Sequence, residues 1–427
     1  MNLDGYLHPA FASLGNRFVR EVDANAGGAG LCVYFRGRPV VDIWGGSRDG
    51  EGRPWQRDTL SPVFSATKGV ASTLVHIAVD RGQLEYDAPV ARYWPEFGRS
   101  GKSRITVRQV LCHQAGLYAI RRMVDDASRM RDWDFMVRAI ENAEPVHEPG
   151  QRTGYHGLTY GFIVGELLQR VTDTPFPVLV REEIARPLGL EGFYCGAPPE
   201  AIARAADLVW PMRGPLGSGV VGSFTRTIAG AFSTALDYAQ PFVDFVGGQV
   251  ALNSLRDALV PAGMEDFEFD SAETLAVPIP SANGIFDARS LARMYAALAE
   301  GGSLDGVRLI SSETLREATE VQPATGNHEV LPIDLGWRLG YHAAFTTYGR
   351  IPGAFGHFGF GGSGAWADPT RRLSMAFVAN SGLTTPFGEI RIARLGAALL
   401  DGYDRLTAET GETSTDSPEM SPLSDFA

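Results

Sequence analysis

Lysine is nearly missing from this chain: Lys68 and Lys102 stand against 36 arginines in 427 residues. Arginine stays protonated at any pH a protein meets, whereas burial can strip a lysine of its proton. A lysine kept among so many arginines is a candidate for work that needs a neutral amine. Cysteine is scarce too. Cys32, Cys112 and Cys195 are too few and too scattered for a disulfide framework, and none is spaced with histidine as a zinc site. No apolar run is long enough to span a bilayer, which argues against a transmembrane segment. Met1 to Phe11 lacks both a basic start and an apolar core, so no signal peptide and a cytoplasmic location are expected. Basic stripes with interleaved aromatics are lacking and the net charge is −12, which argues against nucleic acid.

What is present is ordinary globular material, with 44% hydrophobic and 21% charged residues. The length exceeds one typical core and points to two structural units. Phe11, Leu14, Phe18 and Val22 fall at helical spacing within Pro9 to Asn25. Leu31 to Phe35 and Pro39 to Trp44, joined by Arg36-Gly37-Arg38, read as a hairpin. From Ser65 to about Arg81 the pattern is helical, and Gly82 ends it. Residues 87–280 are mostly helical in pattern. Within them Leu208 to Gly248 is poor in charge and reads as buried core or as an apolar wall over an acyl site. Helices are expected at Ala288 to Glu300, Ser312 to Glu320 and Phe387 to Leu400. Strands are expected at Leu335 to Tyr341, Ala354 to Phe360, Ser363 to Ala367 and Leu373 to Ala379. Six acids against Arg405 give residues 404–427 a charge of −5, and this tail is expected to be disordered. The organisation expected is a sheet domain from 1–86 and 281–403, an inserted mainly helical domain at 87–280, and the tail.

Ser65-Ala66-Thr67-Lys68 places a hydroxyl and an amine on one helical face, with Cβ atoms about 5–6 Å apart. A serine at a helix start also lies at the positive end of the dipole, among free N–H groups that suit an oxyanion. For Lys68 to act as a base it must fall far from its free pKa of about 10.4. The plainer reading is an N-cap serine and a solvated lysine. Two later segments shift the balance. Gly154-Tyr155-His156-Gly157-Leu158-Thr159 sets a tyrosine at a loop-to-helix junction, and Gly356-His357-Phe358-Gly359-Phe360-Gly361-Gly362 allows close backbone approach.

Ser-x-x-Lys, then Tyr155, then His-x-Gly resembles the β-lactamase and penicillin-binding-protein superfamily of serine hydrolases. The chain is most like the class C-like branch that includes family VIII carboxylesterases and lipases. Thr106 to Leu117 and Phe360 to Pro369 fit the same pattern, and the likeness runs from about residue 25 to 400. The resemblance implies an α/β (α+β) fold, with an antiparallel sheet from both chain ends, flanking helices and an inserted helical domain. It also implies Ser65 as nucleophile, with Lys68 and Tyr155 sharing proton transfer. The backbone N–H groups of Ser65 and Phe360 would form the oxyanion hole, and His156, His357 and Gly359 would bind substrate. No cofactor and no metal are called for. Which of Lys68 and Tyr155 is the base in each step stays open.

Two departures bear on substrate. Antibiotic-active relatives usually carry Tyr-x-Asn, and here the third position is Gly157. They often carry Lys-Thr-Gly, and here His357 takes that place, largely neutral with an unperturbed pKa of about 6.5. The expectation is a small neutral ester with a short to medium acyl chain. A β-lactamase or D-alanyl peptidase, and a catalytically silent binding protein, are the rivals. Gly361-Gly362-Ser363-Gly364-Ala365 lacks the last glycine of a Gly-x-Ser-x-Gly elbow, so Ser363 is a poor second nucleophile. Lys102 reads as a surface residue. The oligomeric state stays open, a homo-oligomer included.

Overall fold

Arg36 and Gly37 both take positive φ, 50° and 72°, and link Phe35 directly to its partner Arg38. Such two-residue turns match strand twist, and they fix the register of a hairpin. The strands Gly28–Phe35 and Arg38–Gly46 built on this turn begin the sheet in a computed structural model of the chain. It describes residues 3–209, 249–323, 325, 328–331, 334–382 and 390–410. The apolar wall read into 208–248 therefore lies almost wholly outside the described residues, as do 411–427.

The main sheet has seven antiparallel strands. Across the sheet they run Leu3–Leu7, Arg38–Gly46, Gly28–Phe35, Leu373–Ala379, Gly364–Asp368, Gly349–Phe358 and His342–Thr346. Leu31 pairs with both Ile43 and Phe377, so the two ends of the chain meet at the middle of the sheet. Both central strands are buried along their whole length, which requires cover on both faces. Alternation divides the cover. Leu31, Val33, Met375 and Phe377 pack with Phe18 of helix Ala12–Asp23 and Leu395 of helix Arg391–Thr410. Cys32, Tyr34, Ala376 and Val378 face the other core, with Leu291 and Tyr295 of helix Ala288–Ala299. Truncating Phe377 to alanine would cost about 3–5 kcal/mol.

Helix Thr67–Asp80 is buried from Thr67 through Ala78, and its polar side chains find partners inside the fold: Ser72 with Tyr160, Thr73 with Tyr341 and His76 with Tyr86. Gly69 lets it approach closely, since a Cβ there would overlap the Tyr295 hydroxyl. Most of the expected elements are present within a few residues, and Leu373–Ala379 falls as read.

Three expectations are corrected and one strand is added. Leu335 to Tyr341 is not a strand: its backbone bonds go to scattered partners, from Leu339 N–H to Ala318 and from Gly340 N–H to Leu111. Leu3–Leu7 is an edge strand that was not foreseen, because its Asp4 and Tyr6 face solvent and Gly5 takes a φ of 115°. The closing helix runs on to Thr410, so a tail drawn from 404 begins inside it. Leu406 is buried there, and Tyr403 packs edge-on against Phe35 at 5.8 Å. Lys102 is not a surface residue. It is 0% exposed, with its ammonium 5.8 Å from the Phe97 ring centroid and on the Glu141 and Ala143 carbonyls at 2.9 and 2.5 Å. Those carbonyls end helix Trp133–Asn142, so the lysine caps a helix C-terminus. No described helix is long and apolar enough to cross a membrane.

Candidate active site

Ser65 lies in a tight turn, Phe64–Ala66, that runs into helix Thr67–Asp80. Phe64 holds a φ of 47°, an unfavourable backbone for an aromatic residue, directly before the candidate nucleophile. Edge-to-face contacts with Phe269 and Phe360, at 5.5 and 5.8 Å, hold it there. Ser65 keeps partial exposure while the residues on either side are buried. Its N–H opens a helical segment, where no preceding turn supplies an acceptor.

One turn on, Lys68 Nζ lies 3.1 Å from Ser65 Oγ, 2.7 Å from the Gly157 carbonyl and 2.9 Å from the Ser281 carbonyl. The side chain is 0% exposed, and burial holds its pKa well below the ordinary lysine value. As an ammonium it would donate to all three oxygens. As a neutral amine its two N–H groups satisfy the two carbonyls, and its lone pair is left for the Ser65 hydroxyl proton. The carbonyls thus select the orientation that a base needs.

Tyr155 stands between the short strand Thr153–Gly154 and helix Thr159–Thr172. Its ring centroid is 5.0 Å from Lys68 Nζ. Burial raises the phenol's pKa, so it keeps its proton. Trp337 stacks on it at 5.9 Å and His113 tilts against it at 4.9 Å. His156, its neighbour, faces another task. Its Nε2 accepts from the Leu117 N–H at 2.9 Å within the buried interior, which anchors the tyrosine loop and leaves no described path to substrate.

The third segment closes the site. Gly359 lies so near the Val63 carbonyl that any Cβ would overlap it, and this seats Phe360 beside the Ser65 turn. His357 is 2% exposed, and its Nδ1–H donates to the Phe358 carbonyl at 3.1 Å. Its Nε2 has no partner among the described residues. Burial lowers its pKa well below the ordinary histidine value, with His342 and Lys68 adding to the effect, so no cation stands here. Arg391 is 2% exposed and donates to the Gly361 and Ser381 carbonyls. It therefore pins the turn that carries the Phe360 N–H. Ser363 is spent on the sheet: its Oγ accepts from the Ala379 N–H at 3.0 Å and donates to the Ala379 carbonyl at 3.2 Å.

A serine, a buried lysine and a buried phenol brought together from distant segments form the constellation of one hydrolase family, and the Beta-lactamase family model matches residues 16–400. The chain belongs to the Beta-lactamase family. It is 38% identical over 378 residues to Esterase/beta-lactamase LipL of Mycobacterium tuberculosis, covering 87% of this chain and 80% of that protein. A solved family VIII carboxylesterase superposes with a TM-score of 0.78 at 31% identity, covering 95% of this chain and 100% of that one. A penicillin-binding-protein homologue from Caulobacter crescentus superposes at 0.77 with 34% identity, covering 93% and 100%. The β-lactamase/transpeptidase-like fold and a serine hydrolase scaffold follow.

Ser65, Lys68, Tyr155, His357, Gly359 and Phe360 therefore converge, and His156 does not join them at the cleft. Sequence reading missed Ser281, Trp337, His113 and Arg391. Ser281 acts through a backbone carbonyl, which no residue pattern reveals. Arg391 is one arginine among 36. The aromatic Trp337 lay within a stretch taken for a strand.

Proposed function

We propose that this member of the family is a carboxylesterase that cleaves small neutral esters, with short to medium acyl chains, through an acyl-enzyme on Ser65. The observation that carries the reading is the 3.1 Å contact between Ser65 Oγ and a fully buried Lys68 whose other N–H groups are already engaged. Neutral Lys68 takes the hydroxyl proton as Oγ attacks the ester carbonyl. The Ser65 and Phe360 N–H groups hold the oxyanion. Tyr155, which keeps its proton, passes it to the departing alkoxide and is recharged from Lys68. Water then attacks the acyl-enzyme and surrenders a proton to the pair, which returns it to Ser65 Oγ as the acyl C–O bond breaks and the carboxylic acid leaves.

The choice of ester over β-lactam or D-alanyl peptide rests first on Gly157, which puts no side-chain amide at the third position of the Tyr155 loop, and more weakly on His357. A buried neutral imidazole offers no charge to a substrate carboxylate. The buried and scattered cysteines suit the cytoplasm, the compartment inferred for the chain. Hydrolysis of p-nitrophenyl butyrate measured beside a chromogenic cephalosporin tests the reading. The ester is expected to be turned over faster, and faster cephalosporin turnover would overturn it.

A further inference from the structure

We propose that His113 is a positioning residue for this reaction, holding Tyr155 where it can hand its proton to the departing alkoxide. The inference rests on the proton-donor role given to Tyr155 above and deepens it.

His113 follows the short helix Val107–Leu111, and its N–H donates back to the Val110 carbonyl at 3.0 Å. From there it grips the tyrosine loop on both sides. Its carbonyl accepts from the Gly154 N–H at 2.9 Å, and its Nδ1 accepts from the His156 N–H at 3.2 Å. The residues before and after Tyr155 are thus tied to one histidine. The ring completes the hold, tilted against the Tyr155 ring with centroids 4.9 Å apart. Trp337 lies 4.5 Å from the His113 ring and stacks on Tyr155 at 5.9 Å, so the three rings support one another.

The Nδ1 bond requires a neutral imidazole with its proton on Nε2. Burial supplies that state. His113 is 1% exposed, and desolvation holds its pKa well below the ordinary histidine value, with His156 and Lys68 adding to the effect. The backbone is unusual as well. His113 takes a φ of 59°, a left-handed conformation that asparagine adopts more readily than most residues with a side chain. A buried residue in uncommon backbone, with its carbonyl and its Nδ1 both spent on the flanks of Tyr155, is built to hold that loop.

Without this ring the loop keeps its ties at the Gly154 N–H and, through His156 Nε2, at Leu117. It stays folded, but nothing backs the phenol on that side. Proton transfer depends on geometry, so an alkoxide that leaves only with a proton feels the loss most. The p-nitrophenolate ion leaves without one.

The test compares kcat/KM for ethyl butyrate and p-nitrophenyl butyrate, which form the same acyl-enzyme. Tyr155→Phe should slow the ethyl ester far more than the p-nitrophenyl ester. His113→Leu, which removes the Nδ1 acceptor, should widen the ratio in the same direction by about tenfold. His113→Asn should widen it by less, because its side-chain oxygen falls near the Nδ1 place and its backbone suits the left-handed turn. A loss of general packing would slow both esters alike. Thermal melts identify the folded variants. If His113→Leu fails to fold, His113→Gln decides in its place, since its oxygen reaches the Nε2 position instead. An unmoved ratio in the folded His113 variants overturns the proposal, as does an asparagine variant no better than the leucine or glutamine one. An unmoved ratio in Tyr155→Phe would sink the proton-donor reading and the proposal with it. No turnover of either ester by wild type would sink the ester reading beneath both.

Discussion

The two lysines of this chain occupy matching positions and carry different chemistry. Each is fully buried, and each gives two hydrogen bonds to backbone carbonyls. Around Lys102 stand Glu141 and Glu144, which raise its pKa against the pull of burial and leave it at about 8. Around Lys68 stand rings: Tyr155 and the histidines 113, 156 and 357, whose own pKa values burial lowers. Desolvation acts there without opposition. Burial alone therefore makes a weakened cation in both places. A base requires more, namely a third contact to a hydroxyl that can give up its proton, and only Lys68 has one.

The largest effect expected is at Lys68. Lys68→Arg should lower kcat/KM by about a thousandfold or more, because a guanidinium cannot receive the serine proton. Ester turnover by the folded variant checks this, and retained activity would erase the contrast between the two sites.

Acid should separate the regions next. The native chain refuses protons at His76 and His156 until about pH 3 and at His342 until about pH 4. The unfolded chain takes them near 6.5. Between those limits the unfolded state binds more protons, so stability falls as pH drops from 6.5 towards 4. Each such histidine contributes up to about 1.4 kcal/mol per pH unit in that window. Melting temperatures measured across it should fall steadily, and a flat profile would mean that these rings are not held neutral.

Activity has its own pH signature. Lys68 must be neutral in the free enzyme, so kcat/KM should rise as pH passes its lowered pKa and stay high on the alkaline side. Burial pushes Tyr155 upward, which delays any alkaline fall. A pH–rate profile of kcat/KM reads both limbs.

Arg391 acts at one remove, through the turn that carries Phe360. Arg391→Lys and Arg391→Met are expected to lower kcat by about tenfold to a hundredfold, less for lysine, with KM little changed. A merely structural arginine would alter the melt without splitting kcat from KM.

The smallest effect on activity belongs to Lys102. Lys102→Met should lower stability by about 1–3 kcal/mol, since it leaves the Glu141 and Ala143 carbonyls unpaired. Turnover per folded molecule should stay near wild type. Thermal melts and rates together would show whether this lysine is only a helix cap.

These contrasts also show how far the sequence could be read. The hairpin at Arg36-Gly37 and the alternation in Leu373–Ala379 were legible because turn chemistry and period-two burial are local properties. Ser65 and Lys68 were legible because one helical turn joins them. Lys102 was misread because its partners, Glu141 and Ala143, arrive from a distant helix end. Leu335 to Tyr341 has the composition of a strand, but its N–H groups find acceptors on other elements. The resemblance alone suggested His156 for substrate, and no local pattern foretold that its Nε2 would accept from the Leu117 N–H. Side chains that act through backbone carbonyls, as Arg391 does on Gly361, leave no pattern in the sequence.

The central claim is that Ser65 is a nucleophile made reactive by a neutral Lys68. Labelling with a fluorophosphonate probe, mapped by peptide mass, measures it directly. The account predicts one modified residue, Ser65, in wild type and in Lys102→Met, with labelling all but lost in folded Lys68→Arg. Modification at another residue, or undiminished labelling of Lys68→Arg, would contradict it.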